Sequence, residues 1–573
     1  MNKNSKSLVI NLIKSFLVAS AWMNIGGLES SSIMLVCVAA ASFILLQYKP
    51  VIVGASVSKC IRISSYVLGG LFSVLYLLFR DMTGGLENPL FVAVYVICSV
   101  AGIFVMFSEL LQLAFVKAEK VSANGKGNAF SLKLMLIYAG IVFVCCLPFL
   151  ALNYPGVMTP DSLSQYGQII GSEPKVNHHP WFHTLIIGVF YKLGFAITGN
   201  TYTAIAFYTV FQILAVSISI GYSIECMYEL GLGRKLRIAL LLCFVLLPYN
   251  LIYAVTVWKD ILFSMAVLVL SISIFRMWNK VCKRDMILFI ICGICMCLLR
   301  HNGFYAFIAT AVFLLIAKRR QIRPYLISCV GIILVAVLMR GPVPDAAGYA
   351  RDEFLYNVPI PLVQIGDIVA NDCELTPSEE EFLRSINSLE YMKAAFSPQG
   401  ADGMSAWVLA GDTEFFNSHK GEFFKLWLKL GMRYPARYFR SFLNITMGYW
   451  APMQPQQTVF FGITEYGTGL HTQPLFDGPV LIKINELLFK LYTMIPLYGF
   501  MYCMGGFFWV LLILGALSII RKQYGKIVCM LPVFFLTCTL FVATPLVADL
   551  RYSYALMITL PYLLFLVVSG SAD

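Results

Sequence analysis

Charged side chains are scarce in this sequence. Asp, Glu, Lys and Arg make up 13% of its 573 residues, whereas an average soluble domain carries about 25%. Hydrophobic residues make up 59%, and the mean hydropathy is +0.78. These values exclude a disordered chain, a nucleic-acid-binding module and a small secreted disulfide scaffold. We therefore predict an all-α, polytopic membrane protein.

The 16 cysteines form no disulfide pattern, because most of them lie inside apolar runs. Only Cys373 belongs to the long polar loop at 341–495, so that loop has no internal disulfide. Cys292 and Cys295 have C-x-x-C spacing but lie within a predicted span without polar ligands nearby. Their position favours packing over redox or metal chemistry.

The positions of the basic residues predict the topology. A span needs about 20 mostly apolar residues, and Lys and Arg are enriched in short cytoplasmic loops. Together these rules predict about 14 spans with both termini inside, and they account for the net charge of +12 without nucleic acid. The apolar runs 181–197 and 203–228 must cross an odd number of times, so one of them is expected not to cross. The other spans are predicted near 8–26, 31–47, 62–80, 88–113, 131–151, 236–250, 260–277, 285–300, 303–317, 323–339, 498–520, 527–545 and 552–569.

Four regions follow from this layout. Residues 1–130 form an N-terminal accessory bundle, and residues 131–340 form a membrane core with an outer loop at 152–180. Residues 341–495 form an acidic extracytoplasmic loop, and residues 496–573 form the last membrane helices. Within 341–495 we predict helices at 377–388 and 420–432, and we expect a small, mostly helical cap on the outer membrane surface. The second helix is predicted to present Phe423, Phe424, Trp427 and Leu430 on one face.

Motifs for nucleotide binding are absent. The sequence contains no G-x-x-x-x-G-K-[ST] loop and no G-x-G-x-x-G after a strand. No predicted cytoplasmic loop is large enough for a nucleotide-binding domain. These absences argue against nucleotide-driven chemistry on the inside, so any activated donor is expected to be membrane-soluble.

Polar side chains gather in four clusters that the topology places on the outer side of the membrane. Ionisable groups at membrane depth are costly and favour a functional interpretation. Cations bind phosphate directly, and a nearby carboxylate can accept a proton. The clusters suit a substrate with a phosphate near the headgroups and a lipid tail in the bilayer. They are Thr159-Pro160-Asp161-Ser162 with the following His178-His179-Pro180-Trp181, then Trp258-Lys259-Asp260, Arg300-His301-Asn302-Gly303 and Asp549-Leu550-Arg551-Tyr552.

Each cluster also has a structural alternative. Lys259 and Arg551 could reach towards lipid headgroups, and Asp161 could cap a surface helix. The histidines could be loop residues, and a zinc site lacks further ligands at suitable spacing. Trp181, Trp258 and Trp450 could be interfacial anchors or platforms for a sugar.

On these motifs the chain resembles the GT-C superfamily of integral-membrane glycosyltransferases, and more closely an uncharacterised bacterial polytopic family thought to be GT-C-like. The closer likeness covers about residues 131–570. It implies transfer of a sugar from a polyprenyl-phosphate-linked donor to an envelope glycan or lipid acceptor, at the outer face of the bacterial plasma membrane. No nucleic acid is implied.

The resemblance also implies roles for individual residues. Asp161 would be the catalytic base, assisted by His178 and His179. No cofactor follows from the sequence, although a divalent cation is left open. A transporter or flippase of lipid-linked sugars, and a glycan ligase or polymerase, remain alternatives. The implied donor-binding residues are Lys259, Asp260, Arg300, His301, Arg551, Trp181, Trp258 and Tyr552.

Overall fold

A computed structural model describes residues 3–26, 33–53, 57–79, 88–120, 128–351, 353–452, 459–476 and 478–569. Within these ranges the chain forms helices and turns, and its only β-type pairings are isolated bridges. The predicted all-α class is therefore confirmed.

The chain divides into two compact units. The first consists of Met1–Ala123, Leu512–Gln523 and Val567–Ala572, and the second of Asn124–Leu511, Tyr524–Leu566 and Asp573. The helices before residue 124 are α1 (Lys3–Gly26), α2 (Ile33–Val53), α3 (Lys59–Phe79) and α4 (Pro89–Lys120).

The remaining helices form three groups along the chain. The core group is α5 (Leu132–Leu152), α6 (Pro160–Ile170), α7 (Trp181–Thr198), α8 (Thr201–Glu229), α9 (Arg234–Leu246), α10 (Pro248–Val255), α11 (Lys259–Asn279), α12 (Lys283–Leu299), α13 (His301–Ala317) and α14 (Ile322–Arg340). The cap group is α15 (Pro342–Ala346), α16 (Pro359–Ala370), α17 (Pro377–Arg384), α18 (Leu389–Ala395), α19 (Asp402–Leu409), α20 (Thr413–Ser418), α21 (Lys420–Arg433) and α22 (Pro435–Thr446). The last group is α23 (Pro479–Met494), α24 (Pro496–Phe500), α25 (Met504–Ile520), α26 (Tyr524–Ala543) and α27 (Leu550–Val568).

Ten helices among the described residues are long and apolar enough to cross a membrane, or eleven if a bent pair counts as one span. Many apolar helices therefore support a multi-pass membrane protein, with fewer qualifying spans than the 14 predicted. The span predicted near 236–250 is bent, because α9 and α10 meet at an angle of 63°. Pro248 begins α10 directly after the extended Leu247, and a proline cannot donate the hydrogen bond that would continue α9.

The two apolar runs around residue 200 form helices α7 and α8, and both are long and apolar enough to cross a membrane. The expectation that one of them does not cross therefore finds no support in their length or composition. Helix α8 runs antiparallel to α5: the Tyr154 hydroxyl donates to Thr203 Oγ1 (3.0 Å), and the Asn128 amide donates to the Glu229 carbonyl (3.2 Å). Helix α7 instead folds back along the first half of α8, where Gly194 packs closely against Ala204. Only α8 therefore follows α5 along its whole length.

The first unit contains a partly buried group of charged side chains. Glu109 of α4 pairs with Lys14 of α1 (2.6 Å) and with Lys49 of α2. Lys49 also donates to Gln112 (2.7 Å). Since an unpaired charge among apolar helices is costly, these contacts explain how α1, α2 and α4 accommodate charged residues.

The cap group has a hydrophobic core of its own, formed by buried residues between Leu355 and Ile445. Helices α17 and α21 confirm the two helices predicted within 341–495. The predicted apolar face of α21 is partly wrong. Phe423, Leu426 and Leu430 are buried, whereas Phe424 is 39% exposed. One residue along a helix rotates the side chain by about 100°, which turns Phe424 away from the core.

The cap group is joined to the segment that precedes α27. The Ala401 amide donates to the Pro545 carbonyl (2.7 Å), and the Val547 amide donates to the Gln399 carbonyl (2.8 Å). The Tyr449 hydroxyl donates to the Leu546 carbonyl (3.2 Å). We call these contacts the cap clamp. A Cβ at Gly448 would collide with the Val547 carbonyl, so the close approach requires glycine there.

Candidate functional site

The conspicuous polar residues stand at helix N-termini. Asp161 is in the first turn of α6, Lys259 begins α11, Arg300 immediately precedes α13, and Arg551 is in the first turn of α27. Unpaired backbone amides and the helix dipole give an N-terminus a partial positive charge, which favours anions. Several helices therefore begin where an anionic group would be stabilised.

Local sequence explains why these helices start there. The Thr159 amide donates to Ser162 Oγ (2.8 Å), which closes the first turn of α6, and Pro160 is suited to the first helical position. At α27 the Asp549 side chain accepts a hydrogen bond from the Arg551 amide (3.0 Å) and so caps the helix.

Asp161, Lys259 and Arg551 meet at one carboxylate oxygen. Lys259 Nζ lies 3.2 Å and Arg551 Nη1 lies 3.1 Å from Asp161 Oδ2. The three side chains are 26%, 16% and 15% exposed, respectively. The structure thus brings together residues that are separated by as many as 390 positions.

Aromatic rings and a second carboxylate fix the guanidinium of Arg551. It lies over the rings of Trp258 and Tyr552, each 5.0 Å from the ring centre, and its Nε lies 2.7 Å from Asp549 Oδ2. Trp258 donates in turn to Thr159 Oγ1 (2.7 Å). Arg551 is therefore held in one orientation, as phosphate recognition by arginine requires.

A buried ion pair extends the cluster. Arg300 Nη1 lies 2.6 Å from Asp260 Oδ1. The Arg300 guanidinium also lies over the Tyr552 ring, 4.7 Å from the ring centre. Asp260 is 1% exposed and Arg300 11%. Counting these contacts, three carboxylates (Asp161, Asp260, Asp549) face three cations (Lys259, Arg300, Arg551), and we call these six residues the charge cluster. Its formal charges cancel.

The two adjacent histidines differ in their contacts. Lys259 Nζ donates to His179 Nδ1 (3.3 Å), so His179 belongs to the site. The His178 ring packs against Tyr356 at 3.9 Å and connects the site to the cap group. Burial and the nearby Lys259 lower the pKa of His179 well below its usual value, so its imidazole is neutral at pH 7.

His301 and Trp181 make contacts elsewhere. His301 Nε2 lies 3.1 Å from the Asn177 carbonyl and so holds the loop that carries the two histidines. The Trp181 indole donates to the Met339 carbonyl. Trp181, Trp258 and Trp450 are all buried, so in this structure their rings pack inside the protein.

No group of three or more His, Cys, Asp or Glu that could hold a metal ion occurs among the residues that the structure describes. Each of Asp161, Asp260 and Asp549 already has a cationic partner. In this structure the oxygens of these carboxylates therefore face lysine and arginine nitrogens.

Sequence reasoning gave Asp549 no role and missed Asp402. Asp549 belongs to the fourth polar cluster of the sequence, and in the structure it is 3% exposed and paired with Arg551. Asp402, at the start of α19, interacts electrostatically with Arg551 and Asp161. It lies in an acidic loop without a motif, so no local signal distinguished it.

The pKa values of the carboxylates are shifted in opposite directions. Burial by itself raises the pKa of Asp161, but Lys259 and Arg551 outweigh burial and lower it far below its usual value. For Asp549 burial prevails over Arg551 and raises the pKa. Asp161 is therefore ionised throughout the physiological range and is a weak base while both cations hold it.

We expect His179 to make the stability of the protein depend on pH. The unfolded chain protonates this histidine below about pH 6.5, whereas the folded chain resists protonation. The contribution of neutral His179 to the free energy of unfolding is therefore complete above about pH 6.5 and is lost as the pH falls. His179→Gln should weaken the decrease in Tm between pH 7 and pH 5 in detergent, whereas the exposed control His471→Gln should not. Equal slopes for wild type and His179→Gln would contradict this expectation.

Comparison with known proteins gives one family match. A model described as "Family of unknown function (DUF6020)" matches residues 176–572, more than two thirds of the chain. The match contains Lys259, Arg300 and Arg551, while Asp161 precedes it. No curated protein and no solved structure matches the chain.

Proposed function

The chain belongs to this DUF6020 family of unknown function. We propose that it is a GT-C-type membrane glycosyltransferase. It transfers a sugar from a polyprenyl-phosphate-linked donor to an extracytoplasmic acceptor in the cell envelope. The observation that carries the proposal is the sharing of Asp161 Oδ2 by Lys259 and Arg551.

The charge cluster suits a phosphate that leaves during the reaction. Lys259 and Arg551 are held ready by Asp161, and the helix N-termini around them favour an anion. As the bond between the sugar and the phosphate breaks, negative charge grows on the phosphate. Preorganised cations stabilise that charge without having to rearrange, which is commonly a large contribution to catalysis.

The lipid tail of the donor explains why the site is built on apolar helices. Arg551 lies in the first turn of α27, so a phosphate held there would leave its polyprenyl chain beside the apolar part of the same bundle. In the proposed topology α8 crosses the membrane beside α5, and the cap group lies outside. The acceptor then reaches the sugar from the side of the cap.

Asp161→Asn tests transfer against flipping. In cells that lack the native gene, we expect the variant to lose the envelope glycan modification, because Lys259 and Arg551 lose the carboxylate that holds them. The lipid-linked donor should remain on the outer leaflet at the wild-type level. Glycan mass spectrometry and leaflet-specific labelling of the donor provide the two measurements.

The exposed Asp345 provides a matched control, because Asp345→Asn removes a carboxylate outside the site. Both variants must reach the membrane in equal amounts. Donor accumulating on the inner leaflet would favour a flippase instead, and unchanged glycan in Asp161→Asn would remove Asp161 from the site.

A further inference from the structure

The cap clamp brings a fourth carboxylate to the charge cluster. Ala401 immediately precedes Asp402, and its amide donates to Pro545 four residues before Asp549. Gly400 forms a bridge with Leu546 in the same segment. The first turn of α19 is thereby fixed against the segment that leads into α27, and Asp402 interacts electrostatically with both Arg551 and Asp161.

Asp402 differs from Asp161 in having no cation of its own. The Asp402 side chain is exposed, and it forms no hydrogen bond or ion pair with any residue that the structure describes. By contrast, the three carboxylates of the charge cluster each lie within 3.2 Å of a lysine or arginine nitrogen. An accessible, unpaired carboxylate beside a site of fixed ion pairs is available to a substrate.

We propose that Asp402 is the catalytic base of the transfer, and that Asp161 holds Lys259 and Arg551 in position for the phosphate. This proposal rests on the proposed function and assigns the proton acceptor within it. An acceptor hydroxyl gives its proton to Asp402, and its oxygen forms a bond to the anomeric carbon. The bond from that carbon to the phosphate oxygen breaks, and its electron pair stays on the phosphate beside Lys259 and Arg551.

The physical reason is the cost of protonation. A proton on either oxygen of Asp161 would remove the negative charge that two cations share, so the acid form is disfavoured there. Asp402 carries no such penalty. Although Asp402 is accessible to solvent, the protein around it removes part of its hydration, and this desolvation raises its pKa. Arg551 acts in the opposite direction and Asp161 in the same direction. A base with the higher pKa accepts the proton of a hydroxyl more readily.

Asp402→Asn tests this assignment in purified full-length protein in lipid nanodiscs. The probes are a tritiated polyprenyl-phosphate-hexose donor and envelope material from cells that lack the protein. We expect kcat to fall about 100- to 10,000-fold while the donor KM stays within about twofold, since Asp402 does not touch the phosphate. In Asp402→Asn the decrease in kcat on the acidic side of the pH profile should disappear. Asp402→Glu should retain part of the wild-type kcat, and added formate should restore part of the kcat of Asp402→Ala.

Asp372→Asn is the matched control, because Asp372 is an exposed cap aspartate outside the site. If Asp402→Asn does not fold, Asp402→Glu and formate-treated Asp402→Ala give the decision. Wild-type kcat in Asp402→Asn, or failure of both glutamate and formate to restore activity, would overturn the proposal. If the wild-type protein transfers no sugar from any such donor, the proposed function itself fails, which is a separate outcome.

Discussion

Replacing Arg551 with glutamine is expected to lower kcat/KM for the donor by about 100- to 1,000-fold, the usual effect of removing one preorganised group that stabilises developing charge. Arg551 contacts Asp161 (3.1 Å) and Asp549 (2.7 Å) and is oriented by Trp258 and Tyr552. Its loss removes the proposed phosphate ligand and also leaves the buried Asp549 without its cation. Steady-state kinetics with a lipid-linked sugar, together with the Tm in detergent, would measure both effects.

Two further variants separate charge from geometry. Arg551→Lys keeps the charge but cannot contact both carboxylates while stacking on the rings, so we expect an intermediate loss. Arg351→Gln removes an arginine that is 82% exposed and should change neither kinetics nor stability. If Arg551→Gln retained the wild-type kcat/KM, phosphate binding by this arginine would be refuted.

Breaking the pair between Asp260 and Arg300 is expected to destabilise the protein by about 3 to 5 kcal/mol, as is typical when one partner of a buried ion pair is removed. Asp260→Asn leaves Arg300 beside the remaining cations of the charge cluster without its closest carboxylate. Unfolding in a denaturing detergent, followed by tryptophan fluorescence, would measure the change in the free energy of unfolding.

A double-mutant cycle is the sharper form of this experiment. Asp260→Asn combined with Arg300→Gln removes both charges, so the double variant should be more stable than Asp260→Asn alone. The same cycle at the exposed pair of Asp345 and Arg351 should show little coupling. Additive losses at Asp260 and Arg300 would mean that their 2.6 Å contact contributes no coupling.

The sequence predicted those parts of the site that have a local signal. Asp161, Lys259 and Arg551 each stand at a helix start, and Pro160 and Asp549 favour the initiation of the helices that carry Asp161 and Arg551. Because the three starts were expected on one side of the membrane, their proximity was predictable without knowledge of the contacts.

Features that depend on long-range contacts were not predictable. Asp402 reaches the site through hydrogen bonds between segments more than 140 residues apart, and its neighbours in sequence resemble the rest of an acidic loop. The burial of Trp258 likewise depends on Thr159. The bend between α9 and α10 did have a signal in the sequence, since Pro248 interrupts the apolar run. A hydropathy profile does not show this signal, because it does not record that proline lacks a backbone N–H donor.

Under the proposed function, the cap clamp limits how the acceptor preference of this protein could be re-engineered. A chimera that exchanged the whole cap for that of a relative would also exchange Ala401, Gly448 and Tyr449. These residues pack against residues 545–547, which precede α27. Such a graft would disturb the donor half of the site along with the acceptor half. Grafts of the segment between the end of α19 and the start of α22 would leave the cap clamp intact.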